Sequence, residues 1–168
     1  IEESCLAKGG DKVISVSASG YDSYSEQVLM ASNGFDGYVE YTAFYGAAEM
    51  TAKDEGDRRP ADYYVAIAMI RQDLPRPEEI GAEAASRTLS LLGAKKIKTE
   101  TLPIIIENRV VGQVTSGLLQ AMSGRSIQQK QSFLADKKGQ KVGSEKLTLI
   151  DDPFIPGGLG SRTFDDQG

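Results

Sequence analysis

The segment SEQVLMASNGFDGYVEYTAFYGAAEMTA, residues 25–52, changes side-chain character at nearly every step and is interrupted once, at Asn33-Gly34. Alternation with a period of two, in a run rich in Tyr, Val, Thr and Phe, is the pattern that half-buried strands require. Asn-Gly accepts positive φ at low cost. The pair therefore predicts a tight hairpin turn between a strand over 25–32 and a long return strand over 38–52. The return strand carries Tyr38, Tyr41, Phe44 and Tyr45. Aromatics are favoured cross-strand partners in an antiparallel sheet, so covering the sheet is a simpler role for them than a stacking surface for peptides.

Upstream, residues 12–19 read as a further strand closed by Ser19-Gly20. Downstream, the polar loop 53–59 is followed by a fourth strand over 61–71. After Leu74 the period lengthens. Pro77 suits a first helical position, Glu78 and Glu79 favour the positive end of a helix, and Ile80, Ala84, Thr88, Leu91 and Leu92 make one stripe before Gly93. An amphipathic helix packed on the sheet is expected. Residues 102–107, with three consecutive isoleucines, are an apolar run of strand length that feeds a second helical pattern through Val110, Val114, Leu118 and Met122. A further helical segment is expected over 123–135 after a break at Gly124, and a short strand over 146–150. The closing stretch DDPFIPGGLGSRTFDDQG is rich in Gly and Pro and predicts an ordered loop. These signals define an α+β class.

Among 168 residues, 40% are hydrophobic and 26% charged, the range of an ordinary globular chain. No apolar run reaches the length needed to span a bilayer, and the start IEESCLAKGG lacks a secretory pattern, so the expected compartment is the cytoplasm. The missing initiating Met, and an opening inside a helical turn, suggest an excerpt of a longer chain. A net charge of −5 argues against direct nucleic-acid binding, which needs a basic stripe. Cys5 is the single cysteine, so neither an internal disulfide nor a cysteine metal cluster can form. The chain has no histidine, which removes both the usual zinc ligand and the side chain best suited to proton transfer near neutral pH.

The remaining motifs carry little chemistry. PGGLGSR, residues 156–162, could let backbone N–H groups close on an anion, but it lacks the lysine of a phosphate loop and the strand-to-helix setting. The Asp151-Asp152 and Asp165-Asp166 pairs are not spaced as an EF-hand and read as turn caps. Ser123 and Ser126 have no neighbouring base.

In order along the chain, SYSEQVLMASNGFDGYVEYTAFYGAAEMTAKDEG, DLPRPEEIGAEAASRTLSLLGAKKIKT, SGRSIQQKQSFLADKKGQKV and above all DDPFIPGGLGSRTFDDQG resemble the middle of the TldD/PmbA family. The resemblance runs from about Val13 onward. It implies a chain more than twice this length, of which residues 1–98 are the central antiparallel sheet and helix domain and 99–168 the beginning of an α/β C-terminal, metallopeptidase-like domain. TldD-like members carry a HExxxH helix whose histidines, with a distant cysteine, hold zinc while the glutamate acts as general base. The corresponding helix is QVTSGLLQAMSG, residues 113–124, where Thr115, Ser116 and Gln120 stand roughly at the ligand and base positions. The fit is therefore to the PmbA-like (TldE-like) branch, with no catalytic or metal residue in this chain and zinc expected only in a TldD-like partner. The resemblance further implies pairing with a TldD-like subunit or with itself, and action on unfolded or small peptides, including a gyrase-targeting one. Gly157, Gly158, Gly160, Ser161, Arg162, Asp165 and Asp166 are the residues expected at a peptide channel or interface, since glycine lets an extended peptide approach the backbone closely.

Overall fold

In the computed structural model, which describes residues 1–165 and 167–168, Val13–Met30 form one uninterrupted strand, β1, of 18 residues. It pairs antiparallel with β2, Asp36–Ala52, in register from Met30 opposite Asp36 to Val13 opposite Ala52, with one irregularity between Val13 and Ser15. A shorter strand, β3, Ala61–Ala68, pairs only with the Phe44–Thr51 half of β2, giving the order β1-β2-β3. The sheet thus has three strands rather than the four expected. The predicted closure at Ser19-Gly20 does not occur: Gly20 faces Gly46 inside the ladder, because a long partner strand supplies every backbone bond that a local turn would otherwise supply. Beyond Phe44, β1 and β2 continue alone as a two-stranded ribbon.

The ribbon turns over residues 31–35 rather than in a two-residue loop. Only Gly34 takes positive φ (93°), while Asn33 contributes its side chain, whose Oδ1 accepts the Phe35 N–H at 3.0 Å. Two helices, α1 (Glu2–Gly9) and α2 (Pro77–Ser90), pack on each other and on the sheet. The core between them consists of Cys5, Ala48, Met50, Ala52, Ala84 and Ala85. Small side chains there permit close approach, and a Cβ at Gly46 would stand 2.7 Å from Ile80 Cδ1. The stripe expected on α2 is buried at Ile80, Ala84 and Thr88, and Gly93 follows the helix with φ 70°. The loop after β2 is tied to that end: Asp54 accepts the Gly93 N–H, and the Arg58 guanidinium donates to the Ala94 carbonyl.

The chain divides into two compact units, residues 1–96 with 151–168, and residues 97–150. In the first, the closing segment returns to the ribbon, where Phe35 and Phe164 meet edge to face at 5.3 Å. In the second, α3 (Asn108–Met122) is followed by the short α4 (Gly124–Gln128), and the buried Ser132 hydroxyl donates to the Ala121 carbonyl at 2.6 Å. The helical segment expected over 123–135 ends at Gln128, since Lys130 adopts a φ of 57° that no helix accommodates. The strands expected over 102–107 and 146–150 are not formed. A strand is a hydrogen-bonded ladder, and among the described residues neither run finds a partner; Ile105 is fully exposed. No helix among the described residues is long and apolar enough to cross a membrane.

Candidate functional site

The residues singled out on the helical pattern lie in α3. Thr115 Oγ1 donates to the Val111 carbonyl at 2.9 Å and Ser116 Oγ to the Gln113 carbonyl at 2.8 Å, while Gln120 is exposed. Hydroxyls engaged with their own helix backbone, and one neutral amide, do not fit zinc, which takes imidazole, thiolate or carboxylate donors. Among the described residues, no group of three or more His, Cys, Asp or Glu is gathered where it could hold a metal ion. The thiol of Cys5 is buried beside α2, and burial pushes its pKa up, away from the thiolate form that binds metals or attacks.

The closing segment is ordered by its own side chains. Asp152 Oδ1 accepts the Phe154 N–H at 2.9 Å, Ser161 Oγ donates to the Ile155 carbonyl, and Asp165 Oδ1 accepts the N–H groups of Gln167 and Gly168 at 2.8 and 3.1 Å. The Arg162 N–H closes the loop onto the Pro153 carbonyl at 2.9 Å. Asp152 and Asp165 are thus occupied as turn caps.

This loop and the sheet enclose a cleft of about 490 Å³. The sheet wall is Gln27, Val39, Glu40, Tyr41, Ala43, Ile67 and Met69; the loop wall includes Gly157, Gly158, Ser161, Arg162 and Asp165. Gly160 lines an adjoining hollow of about 510 Å³ with Phe35 and Phe154, and Arg162 and Asp165 border both spaces. Asp166, also singled out above, lies outside the described residues. The structure therefore brings the loop residues together against the ribbon, with apolar walls and a few polar groups, which is the composition of a binding cleft. Sequence reasoning weighed Tyr41 as a stacking residue but preferred sheet packing for it, and did not identify the rest of the opposite wall. Its signal was the period of two, since Val39, Tyr41 and Ala43 are alternate residues of β2 and share one face.

The other face of the ribbon carries a polar cluster. Tyr24 Oη lies 2.7 Å from Glu26 Oε1 and 2.6 Å from Glu40 Oε2, and Tyr38 Oη lies 3.3 Å from Glu40. The hydrogen bond to Glu40, then that to Glu26, holds the Tyr24 phenol well above its ordinary pKa.

The fold is of the α+β class, with a cleft between the closing loop and the sheet. Comparison with known proteins places it further: residues 1–92 match the PmbA/TldA metallopeptidase central domain and residues 99–168 the PmbA/TldA metallopeptidase C-terminal domain. The chain belongs to the TldD/PmbA family. It is 36% identical over 117 residues to the metalloprotease PmbA of Escherichia coli O157:H7, covering 70% of this chain and 26% of that protein. It is 28% identical over 159 residues to a metalloprotease of Methanocaldococcus jannaschii, covering 94% and 35%. The crystal structure of a candidate modulator of DNA gyrase from Bacteroides thetaiotaomicron superposes with a TM-score of 0.89 at 31% identity, over 99% of this chain and 39% of that one. The chain thus spans between 26% and 35% of the length of these two curated relatives.

Proposed function

We propose that the full-length protein is the non-catalytic, PmbA-like subunit of a two-component metallopeptidase of the cytoplasm, one that holds unfolded or small peptides while a TldD-like subunit supplies zinc. The observation that carries this reading is the donor set of α3. Thr115, Ser116 and Gln120 stand at the positions that the resemblance assigns to ligands and base, and none of them can hold zinc against water. The cleft between Gly157–Asp165 and the ribbon is then the surface that receives an extended peptide, whose backbone can come close where glycine leaves room. Neither nucleic acid nor a membrane is a partner in this reading.

A second reading has one specific observation in its favour: the curated relatives above are named metalloproteases. The full-length protein would then be a peptidase whose metal ligands all lie outside these 168 residues. Metal analysis separates the two. Purified full-length protein should contain no stoichiometric zinc alone, and zinc should appear only in its complex with a HExxxH-bearing partner. Stoichiometric zinc with peptidase activity in the isolated protein would overturn the first reading.

A further inference from the structure

The face of the ribbon that carries Tyr24, Glu26, Tyr38 and Glu40 bears an arrangement that the fold does not require, and Glu40 also borders the cleft. Glu26 on β1 and Glu40 on β2 stand directly opposite each other in the ladder. Like charges in that position destabilise a sheet. The Tyr24 hydroxyl lies within hydrogen-bond distance of both carboxylates but has one proton to donate, and the Tyr38 hydroxyl lies near both Glu40 and Tyr24, so acceptors outnumber donated protons in the cluster. Among the described residues no cation pairs with Glu26 or Glu40. Around them Tyr24, Val28, Met30 and Tyr38 are each more than half exposed, from 56% to 73%. An apolar patch of this kind enclosing two carboxylates marks an interaction surface rather than a solvated one.

The same face shows what such a set accepts. Asp22 and Phe44 are also directly opposite, one step from Tyr24 and Thr42. There the chain supplies its own cation: the Arg71 guanidinium lies 5.5 Å above the Phe44 ring and 3.6 Å from the Asp22 carboxylate. The next carboxylate and ring set toward the tip, Glu26 and Glu40 with Tyr24 and Tyr38, repeats that chemistry with a doubled charge and no guanidinium. A planar guanidinium suits it better than an ammonium, because it can lie on a tyrosine ring while its fork donates to two carboxylates.

We propose that this face of the ribbon docks an arginine-bearing segment of the zinc-carrying partner subunit, with the guanidinium between Glu26 and Glu40 and against the rings of Tyr24 and Tyr38. The inference rests on the two-subunit reading above and names the surface and the partner's chemistry. Docking of this kind requires opposite effects of the carboxylates on stability and on association, which a purely structural role for the cluster would not produce.

The test is titration calorimetry of the full-length protein against a HExxxH-bearing partner, with Glu26→Gln/Glu40→Gln beside the parent and a thermal melt of each protein alone. The double variant should bind about tenfold or more weakly, with a shallower salt dependence, as expected for lost charge and cation–π contacts. Its own melting temperature should stay level or rise, because the opposed charges are gone. Tyr38→Phe should keep most of the affinity and Tyr38→Ala should not. Unchanged affinity in the double variant overturns the docking site and leaves the two-subunit reading intact. Loss of self-association alone, with partner binding retained, assigns the face to a second copy and also overturns it. A lower melting temperature together with weaker binding would make the cluster structural and the proposal wrong. Failure of the parent to bind any such partner removes the two-subunit reading and this inference with it.

Discussion

Gly81 sets the distance at which α1 crosses α2. A Cβ at this position would overlap the Ile1 carbonyl oxygen and Ser4 Oγ and stand 3.0 Å from the Cys5 nitrogen. Two of those atoms are backbone, so they cannot swing aside as a side-chain tip would. Gly81→Ala is therefore expected to lower the unfolding free energy by about 1–3 kcal/mol, the usual cost of overpacking, despite the ~1 kcal/mol that alanine gains in helix propensity. Denaturant midpoints will read the difference. Asp54 makes a prediction with a pH signature. Its carboxylate accepts the Glu55 N–H at 2.9 Å and the Gly93 N–H at 3.1 Å and pairs with Arg58 at 3.1 Å. These contacts, the Glu55 N–H foremost, hold its pKa below the ordinary 3.8. A depressed folded pKa gives stability that is present above the unfolded value and is lost as pH falls through the folded one. Asp54→Asn should accordingly be less stable than the parent near neutral pH. The gap between their denaturant midpoints should narrow progressively below pH 3.8. A gap that is constant down the acid range would mean that the carboxylate's charge contributes nothing.

At the scale of elements, the glycines that face each other across the sheet behave differently. A Cβ at Gly20 would meet only the Tyr45 carbonyl, at an ordinary 3.5 Å, whereas a Cβ at Gly46 meets the buried Ile80. Gly20→Thr should raise stability by about 0.5–1 kcal/mol, since glycine is a weak strand residue, and Gly46→Ala should lower it by about 1–3 kcal/mol through overpacking. If β1 broke at Gly20, as the Ser19-Gly20 pair suggests when read alone, threonine would instead disturb a turn and destabilise. Thermal unfolding of the two variants decides between these. The contrast also shows which features are readable from one chain. The α2 stripe of Ile80, Ala84 and Thr88 was legible because its signal lies within one element, and so was the hairpin flanking Asn33-Gly34. Continuity through Gly20 depends on a partner strand arriving from residue 46, which no local pattern records. The candidate site divides in the same way. Glycine content exposes the 157–161 loop in the sequence, while its opposite wall of Val39, Tyr41 and Ile67 is assembled only by the sheet.

At the scale of the whole chain, burial is unevenly shared between the two units. Cys5, Met50, Ile80 and Thr88, the largest fully buried side chains, all belong to the first. In the second, only Ala121 and Ser132 are buried among the described residues, and Ile104, Ile105 and Ile150 are 78%, 101% and 81% exposed. Local opening costs little where few apolar groups leave water and backbone groups have no ladder. Hydrogen exchange of the 168-residue chain should therefore show two regimes: slow amides in α2 and in the half of β2 paired on both sides, whose opening approaches the global free energy, and amides over 102–106 and 148–150 exchanging close to the unprotected rate. The apolar run 102–106 has strand composition without a ladder, so strand addition by a second chain is the alternative source of any protection there. Exchange at increasing protein concentration distinguishes the cases. Protection that appears over 102–106 only as concentration rises would come from pairing between molecules, and protection at every concentration would contradict the absence of a strand ladder among the described residues there.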